Sequence, residues 1–432
     1  MVKMKVGIIG GSDGLGKTLI YYFRDEFDVI ITARNHEKGR NVANKANVKY
    51  IESNTELASI SDILVISVPI NHTSDVIREV AGFMKEGSLM VDVTSIKEEP
   101  LKTMSEAVPE NVEYIPTHPI FGPRTTELDN QVIVLTPDKK GKWFDKVYNY
   151  LSSKNMRVII TSAEKHDFMM SIVQILTHFS FISTTSAIEK LKVDIKETED
   201  YESPIYNLMI DVIARISAQN PYLTYNIQTM NENGPKIRNT FVEAVSELRD
   251  VINNGDDEKF VSIVEKSVDH MGDVSDALGR SDKAIRALSH EYTLLNQSVG
   301  HEVGLKNFYT GEVNVGILEN ITPRTASLNC NGNIKEIIIS HIYVLNENEL
   351  QKWKNKTLNK TVENIHCILP ENIDAEIIKK TVINTTEIAE IEVIEDVKIN
   401  NSTDITFKVT AVSQNDIDNV KKLFKGFGGI IQ

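Results

Sequence analysis

His118 stands in YIPTHPIFGP (114–123), just past an apolar run that reads as a strand. Strand ends are where open α/β sheets form their ligand crevice. Pro116 and Pro119 stiffen the backbone around it, and Gly122 permits a close approach. An imidazole titrates near neutrality, so this residue suits removal of a hydroxyl proton as a hydride departs. On the residues alone, a turn histidine with a structural hydrogen bond is the plainer reading. Ser95 and Lys97, in DVTSIKEEPL (92–101), follow a second strand at the same edge, where a lone lysine would ordinarily be solvated.

His166 and His178 lie twelve residues apart in EKHDFMMSIVQILTHF (164–179). At 3.6 residues per turn that is about 1200°, or about 120° from a common face, which argues against one metal shared between them. Gln174 sits one turn before His178 on its face. Arg215 falls between Ile213 and Ile216 in a helical stretch, a costly place for a permanent cation without a partner. A guanidinium fork pairs naturally with a carboxylate, from a ligand or from an internal salt bridge.

Residues 10–19, GGSDGLGKTL, pose a choice. Gly11 to Thr18 fit the phosphate loop of a nucleoside triphosphatase, G-x-x-x-x-G-K-[ST]. The same glycines give a loosened dinucleotide fingerprint in which Asp13 stands where a glycine is wanted. On either reading, phosphate sits at a helix N-terminus. The next strand, FDVIITAR, ends in Arg34, with Asn35, Lys38 and Arg40 close behind. A cation there suits the 2′-phosphate of NADP better than the ribose of NAD.

The elements that must position these residues follow from the patterning. Residues 1–161 alternate short β-branched runs (KVGIIG, FDVIITA, VKYI, DILVISVP, SLMVDVTS, VEYIPTH, QVIVLTP) with amphipathic stretches, the rhythm of a doubly wound Rossmann-type sheet. Residues 162–300 read as an all-α domain, its first helix apolar nearly all round as in a bundle or dimer interface. Residues 310–432 mix strands and helices in the order β-α-β-α-β-β-α, pointing to a small α+β domain of ferredoxin-like type. A net charge of −14 argues against a nucleic-acid or acidic-membrane partner. Cys330 and Cys367 suit neither a disulfide framework nor a metal site. The start, VKMKVGIIGG, lacks the shape of a signal peptide, and no apolar run approaches the roughly 18 residues that span a bilayer. A cytoplasmic protein is expected.

With DVTSIKEEPL, YIPTHPIFGP and QVIVLTP in this order, followed by EKHDFMMSIVQILTHF and SPIYNLMIDVIARISAQNP (203–221), the chain resembles the prephenate dehydrogenase family of tyrosine biosynthesis, archaeal type. The resemblance covers residues 5–275 and settles the glycine loop in favour of a dinucleotide. It implies NAD(P)-dependent oxidative decarboxylation of prephenate, with arogenate as the alternative substrate and a non-catalytic NADP sensor as the remaining rival. No metal is required. By resemblance, His118 is the base and Ser95 orients the substrate hydroxyl and the imidazole. Lys97 adds positive charge to the pocket. His178, His166 and Gln174 face the substrate, Arg215 anchors a carboxylate, and Lys236 and Arg238 are weaker candidates. The expected cofactor set is Gly10, Gly11, Ser12, Asp13, Gly14, Leu15, Gly16, Arg34, Lys38, Val68 and Pro69. Asn207 stands where some members of the family carry another arginine. A homodimer is expected. The C-terminal domain is expected either to sense an aromatic product such as tyrosine or to serve a structural or partner-binding role.

Overall fold

Short runs rich in valine, isoleucine and leucine are covered on both faces by helices, as parallel strands must be. In a computed structural model, which describes residues 3–125, 127–370, 373–399 and 402–432, these runs form the sheet of the first of two units, Met1–Gly272. The strands are β1 (Lys5–Ile9), β2 (Asp28–Thr32), β3 (Lys49–Tyr50), β4 (Ile63–Ile66), β5 (Leu89–Asp92), β6 (Glu113–Pro119), β7 (Val132–Leu135) and β8 (Arg157–Ile160). Their order is β3-β2-β1-β4-β5-β6-β7-β8. All pair in parallel except β6 with β7. The connecting helices are α1 (Gly14–Phe23), α2 (His36–Ala46), α3 (Asn54–Ile60), α4 (Ile70–Ala81), α5 (Glu98–Ala107) and α6 (Lys142–Ser153). Strand order reverses between β1 and β4, which opens the ligand crevice beyond their C-terminal ends. β8 is absent from the expected strands; its four residues are half exposed, so its apolar signal is weak.

A helical region completes this unit: α7 (Ala163–Met170), α8 (Thr177–Lys190), α9 (Pro204–Ser217), α10 (Pro221–Thr229), α11 (Gly234–Asn253) and α12 (Asp257–Met271). Ser162, Ser203 and Asn220 cap three of these helices, with a proline in the first turn after the latter two. Between α7 and α8 runs a six-residue π segment, Ser171–Leu176. A π turn takes up about one extra residue, so His166 and His178 are about 1100° apart rather than 1200°. That brings them to about 20° from a common face and corrects the sequence expectation. An axial rise of about 17 Å still separates them.

Ala163–Lys190 is, as one continuous helix, long and apolar enough to cross a membrane by length and composition, with 17% of its apolar window buried. This overturns the expectation that no such segment exists. Counting unbroken apolar residues missed it, because Ser171, Thr177, His178 and Ser180 interrupt a run whose average remains apolar.

The second unit, Asp273–Gln432, opens with α13 (Ser275–Gln297). It continues into a five-stranded antiparallel sheet of β9 (Glu302–Asn307), β10 (Val313–Ile321), β11 (Thr325–Cys330), β12 (Asn333–Ile338) and β13 (Ile342–Val344), in the order β12-β11-β10-β9-β13. Leu295, Leu305, Leu318 and Leu328 form its core. After α14 (Glu347–Thr357) come β14 (Thr361–Pro370), α15 (Ala375–Thr385), β15 (Glu390–Ile399), β16 (Ser402–Ala411), α16 (Gln414–Gly426) and β17 (Ile430–Ile431). Their order, β15-β16-β14-β17, is the ferredoxin-like arrangement expected. Its core holds Ile365, Cys367, Phe407 and Phe424. The separate five-stranded sheet before it departs from the expectation of one small α+β domain over 310–432, in which only KEIIISHIYVL of this sheet is expected as strand.

Candidate active site

The glycine loop joins β1 to α1 with no residue to spare. Gly10 has φ +88°, and a Cβ there would lie 2.1 Å from the Ser67 carbonyl oxygen. A Cβ on Gly16 would meet the Gly10 carbonyl oxygen at 2.5 Å. Only glycine at these positions therefore lets the loop pack against the end of β4 and α1 against the loop. Asp13 caps α1, and its side chain accepts from the Gly14 amide at 2.9 Å. First-turn amides have no partner within their own helix, so those of Leu15 and Gly16 are open to an anion. Ser12 lies in the loop, and Val68 and Pro69 lie just past β4, on the other side of the crevice.

The Thr18 hydroxyl donates to the Pro123 carbonyl at 3.1 Å. It ties α1 to the loop after His118 instead of standing free for magnesium, which disfavours the phosphate-loop alternative. At the end of β2, Arg34 is exposed, and no ion pair engages it among the described residues. Lys38 pairs with Asp13 at 2.5 Å, and Arg40 pairs with Glu52. These groups fit a dinucleotide: a glycine cradle, open amides for a pyrophosphate, and an unpaired guanidinium where the adenosine ribose would lie.

His118 occupies the end of β6 and is 3% exposed. Its Nδ1 lies 2.9 Å from His166 Nε2, with the rings nearly edge to face. His166 Nδ1 in turn lies 2.7 Å from Asp167 Oδ1. The Asp167 carboxylate also accepts the backbone amides of Lys97 (2.8 Å) and Glu98 (3.0 Å) at the start of α5. Burial, followed by the neighbouring His166 and Lys97, holds the His118 imidazole well below its ordinary titration range. The imidazole is therefore uncharged at neutral pH.

Several expected residues sit elsewhere than foreseen. Lys97 does not line a pocket: its ammonium is fully buried and paired with Asp92, and it donates to the Thr117 carbonyl at 2.7 Å. The loop after β5 curls back, so the aspartate five residues earlier captures it. His166 has no free ring nitrogen for a substrate and stands behind His118. Arg215 is exposed, while Ile213 and Ile216 are buried. At 100° per residue the arginine points off their face, so the buried setting inferred for it is wrong.

Ser95 is half-buried in the loop between β5 and α5. His178 is half-buried, its Nδ1 has no partner, and burial lowers its pKa. Gln174 lies in the π segment, whose Ile175 carbonyl is met by the Gln228 side chain at 2.9 Å. Arg238 is spent on the Gln228 carbonyl, and Lys236 is exposed. Asp167 was missed, although its signal, a carboxylate directly after a histidine in EKHDF, was in plain view.

Residues 22–160 match the model of the prephenate dehydrogenase nucleotide-binding domain, and 162–266 that of the prephenate dehydrogenase dimerization domain. A Methanocaldococcus jannaschii protein described as a probable arogenate/prephenate dehydrogenase is 41% identical over 436 residues, covering 99% of this chain and 98% of its own. The T-protein of Haemophilus influenzae is 27% identical over 50% of this chain and 57% of its own length. The crystal structure of prephenate dehydrogenase from Aquifex aeolicus overlays with a TM-score of 0.51 at 17% identity, covering 63% of this chain and 98% of that one, a likeness of fold. This chain belongs to the prephenate dehydrogenase family.

Proposed function

We propose that the protein oxidises and decarboxylates prephenate to 4-hydroxyphenylpyruvate, with NADP preferred over NAD. The observation that carries this reading is a neutral histidine, His118, buried at the end of β6 beside the nucleotide crevice and backed by His166 and Asp167. Nicotinamide dinucleotide, when bound, supplies the hydride acceptor. His118 takes the proton of the ring hydroxyl, and carbon dioxide leaves as the substrate ring becomes aromatic. Aromatisation drives the reaction, so the protein's task is orientation and proton removal. Ser95 orients the hydroxyl, and His178 and Gln174 line the substrate side. Arg215, exposed and unpaired among the described residues, is the proposed carboxylate anchor. The preference for NADP rests on the unpaired Arg34, with Lys38 beside it.

Arogenate is the second reading, supported by the description of the 41% identical relative, which names both substrates. Reduced-nicotinamide absorbance, read with prephenate or arogenate and NADP or NAD in all four pairings, tests both. Turnover with neither acid contradicts the proposal and favours a non-catalytic sensor. A homodimer through the helical region is also proposed. It would cover Val173, Ile205, Tyr222 and Val245, all about half exposed or more, and the apolar face of Ala163–Lys190. His166 and Asp167 of that helix are buried in a polar network, which fits a subunit contact better than a bilayer. The proposed setting is the cytoplasm, where Cys330 and Cys367 stay reduced. The ferredoxin-like module is the proposed seat of feedback by tyrosine. Inhibition of the full chain by tyrosine, lost on deleting 310–432, would support that role.

A further inference from the structure

Resting on the reading of His118 as the base, we infer that Asp167 is a positioning residue that acts through His166 to hold His118 with its proton on Nδ1 and a bare Nε2 toward the substrate. The direction of every proton in the chain follows from its fixed end. The Asp167 carboxylate accepts two backbone amides at 2.8 and 3.0 Å, which fixes it as the acceptor end of the chain. An ionised carboxylate is acceptor-only, so His166 Nδ1 must donate across the 2.7 Å contact. A neutral His166 then presents a lone pair at Nε2, and His118 Nδ1 donates into it across 2.9 Å. The remaining nitrogen of His118, Nε2, is left unprotonated. Without this chain, the two tautomers of His118 would compete, and one of them cannot serve as a base at that nitrogen.

The same chain gives the abstracted proton somewhere to go. The substrate O–H bond breaks and an Nε2–H bond forms on His118. The Nδ1 proton of His118 then passes to His166 Nε2, while the hydride departs to the nicotinamide. The positive charge comes to rest on His166, in contact with the Asp167 carboxylate. The charged groups around the pair are Lys97, itself paired with Asp92, and Glu98, whose carboxyl is raised by burial and then by Asp167. Lys97 disfavours a proton on His118, while the Asp167 carboxylate lies against the far nitrogen of His166.

The test reads the tautomer directly, on the full chain without substrate. Protein labelled with 15N in its ten histidines is examined by long-range 1H–15N correlation, with His118→Asn identifying the signal. The expected wild-type pattern is a protonated Nδ1 and a bare Nε2; a proton on Nε2 overturns the inference. In Asp167→Asn the amide cannot accept from every donor that faces it. The expected result is a mixed or reversed His118 tautomer, with kcat down by about 100-fold or more and KM little changed.

Loss of the carboxylate also makes the histidine pair harder to protonate, so the acid limb of the kcat/KM profile moves to lower pH. A merely structural role would lower activity and leave that limb in place, which would also overturn the inference. Should Asp167→Asn fail to fold, His166 decides. His166→Gln keeps a carbonyl for the Nδ1 proton and should retain about 10-fold more activity than His166→Leu; equal loss in both would overturn the inference. A wild-type protein with the expected tautomer but no turnover of either acid would support the relay and refute the proposed reaction.

Discussion

Lys97→Met is the most informative perturbation of the scaffold behind the site. The ammonium is fully enclosed, paired with Asp92, and bonded to the Thr117 carbonyl and the Thr94 hydroxyl. Methionine fills much the same volume and leaves the Asp92 carboxylate buried without its counter-charge; one Asp92 oxygen, Oδ1, already has no partner. Removing one member of a buried pair costs about 3–5 kcal/mol, the penalty of the stranded charge. For a unit of this size that lowers Tm by roughly 10 °C. Guanidinium unfolding would follow Trp143, buried in α6, in a Trp353→Phe background so that the signal comes from the first unit alone. Adding Asp92→Asn removes the stranded charge while its carbonyl can still accept from the Thr94 amide (3.0 Å in the parent). The double variant should therefore be more stable than Lys97→Met alone. A Lys97→Met protein within about 1 kcal/mol of the parent, with a large rise in the KM for substrate, would refute this account and return Lys97 to the pocket.

Other outcomes follow from the same geometry. Because the folded protein holds His118 well below the usual imidazole range, kcat/KM should stay flat as pH falls through 6.5 and drop only below it. The unfolded chain binds that proton near 6.5, so the same histidine makes stability fall as pH drops below about 6.5, which urea midpoints across pH would show. Arg34→Ser should lower kcat/KM with NADP by about 10- to 100-fold, the loss of a charge-assisted contact, and leave the value with NAD nearly unchanged. Arg215→Ala should raise the substrate KM by at least about 10-fold with kcat little affected, read from initial rates. Val245→Glu, which places a charge on an exposed apolar helix face, should shift the sedimentation profile from dimer to monomer.

The parts of this molecule legible in its sequence are those set by local pattern. The β-branched runs, the glycine loop and the strand end carrying His118 follow from periodicity and turn chemistry, and all stand where expected. What escaped depends on distance or on one-residue phase. The π segment shifts the helical phase by about 100°, and nothing in SIVQIL announces it. Lys97 is expected in the pocket because its partner, Asp92, comes within reach only when the loop after β5 folds back. Arg215 was placed by its apolar neighbours in the chain, yet on a helix adjacent residues point 100° apart. Asp167 is the instructive miss: its neighbour His166 was singled out, but its function appears only once α7 packs against α5 and β6.

The central claim, that the imidazole at the end of β6 removes the substrate proton, meets its most direct test in one comparison. Initial rates of nicotinamide reduction are measured with prephenate and with arogenate for the parent and for His118→Asn, both checked for the same fold by circular dichroism. The account predicts turnover in the parent with at least one of these acids and a loss of about 100-fold or more in the variant, with dinucleotide affinity preserved. Near-normal turnover by folded His118→Asn would contradict it.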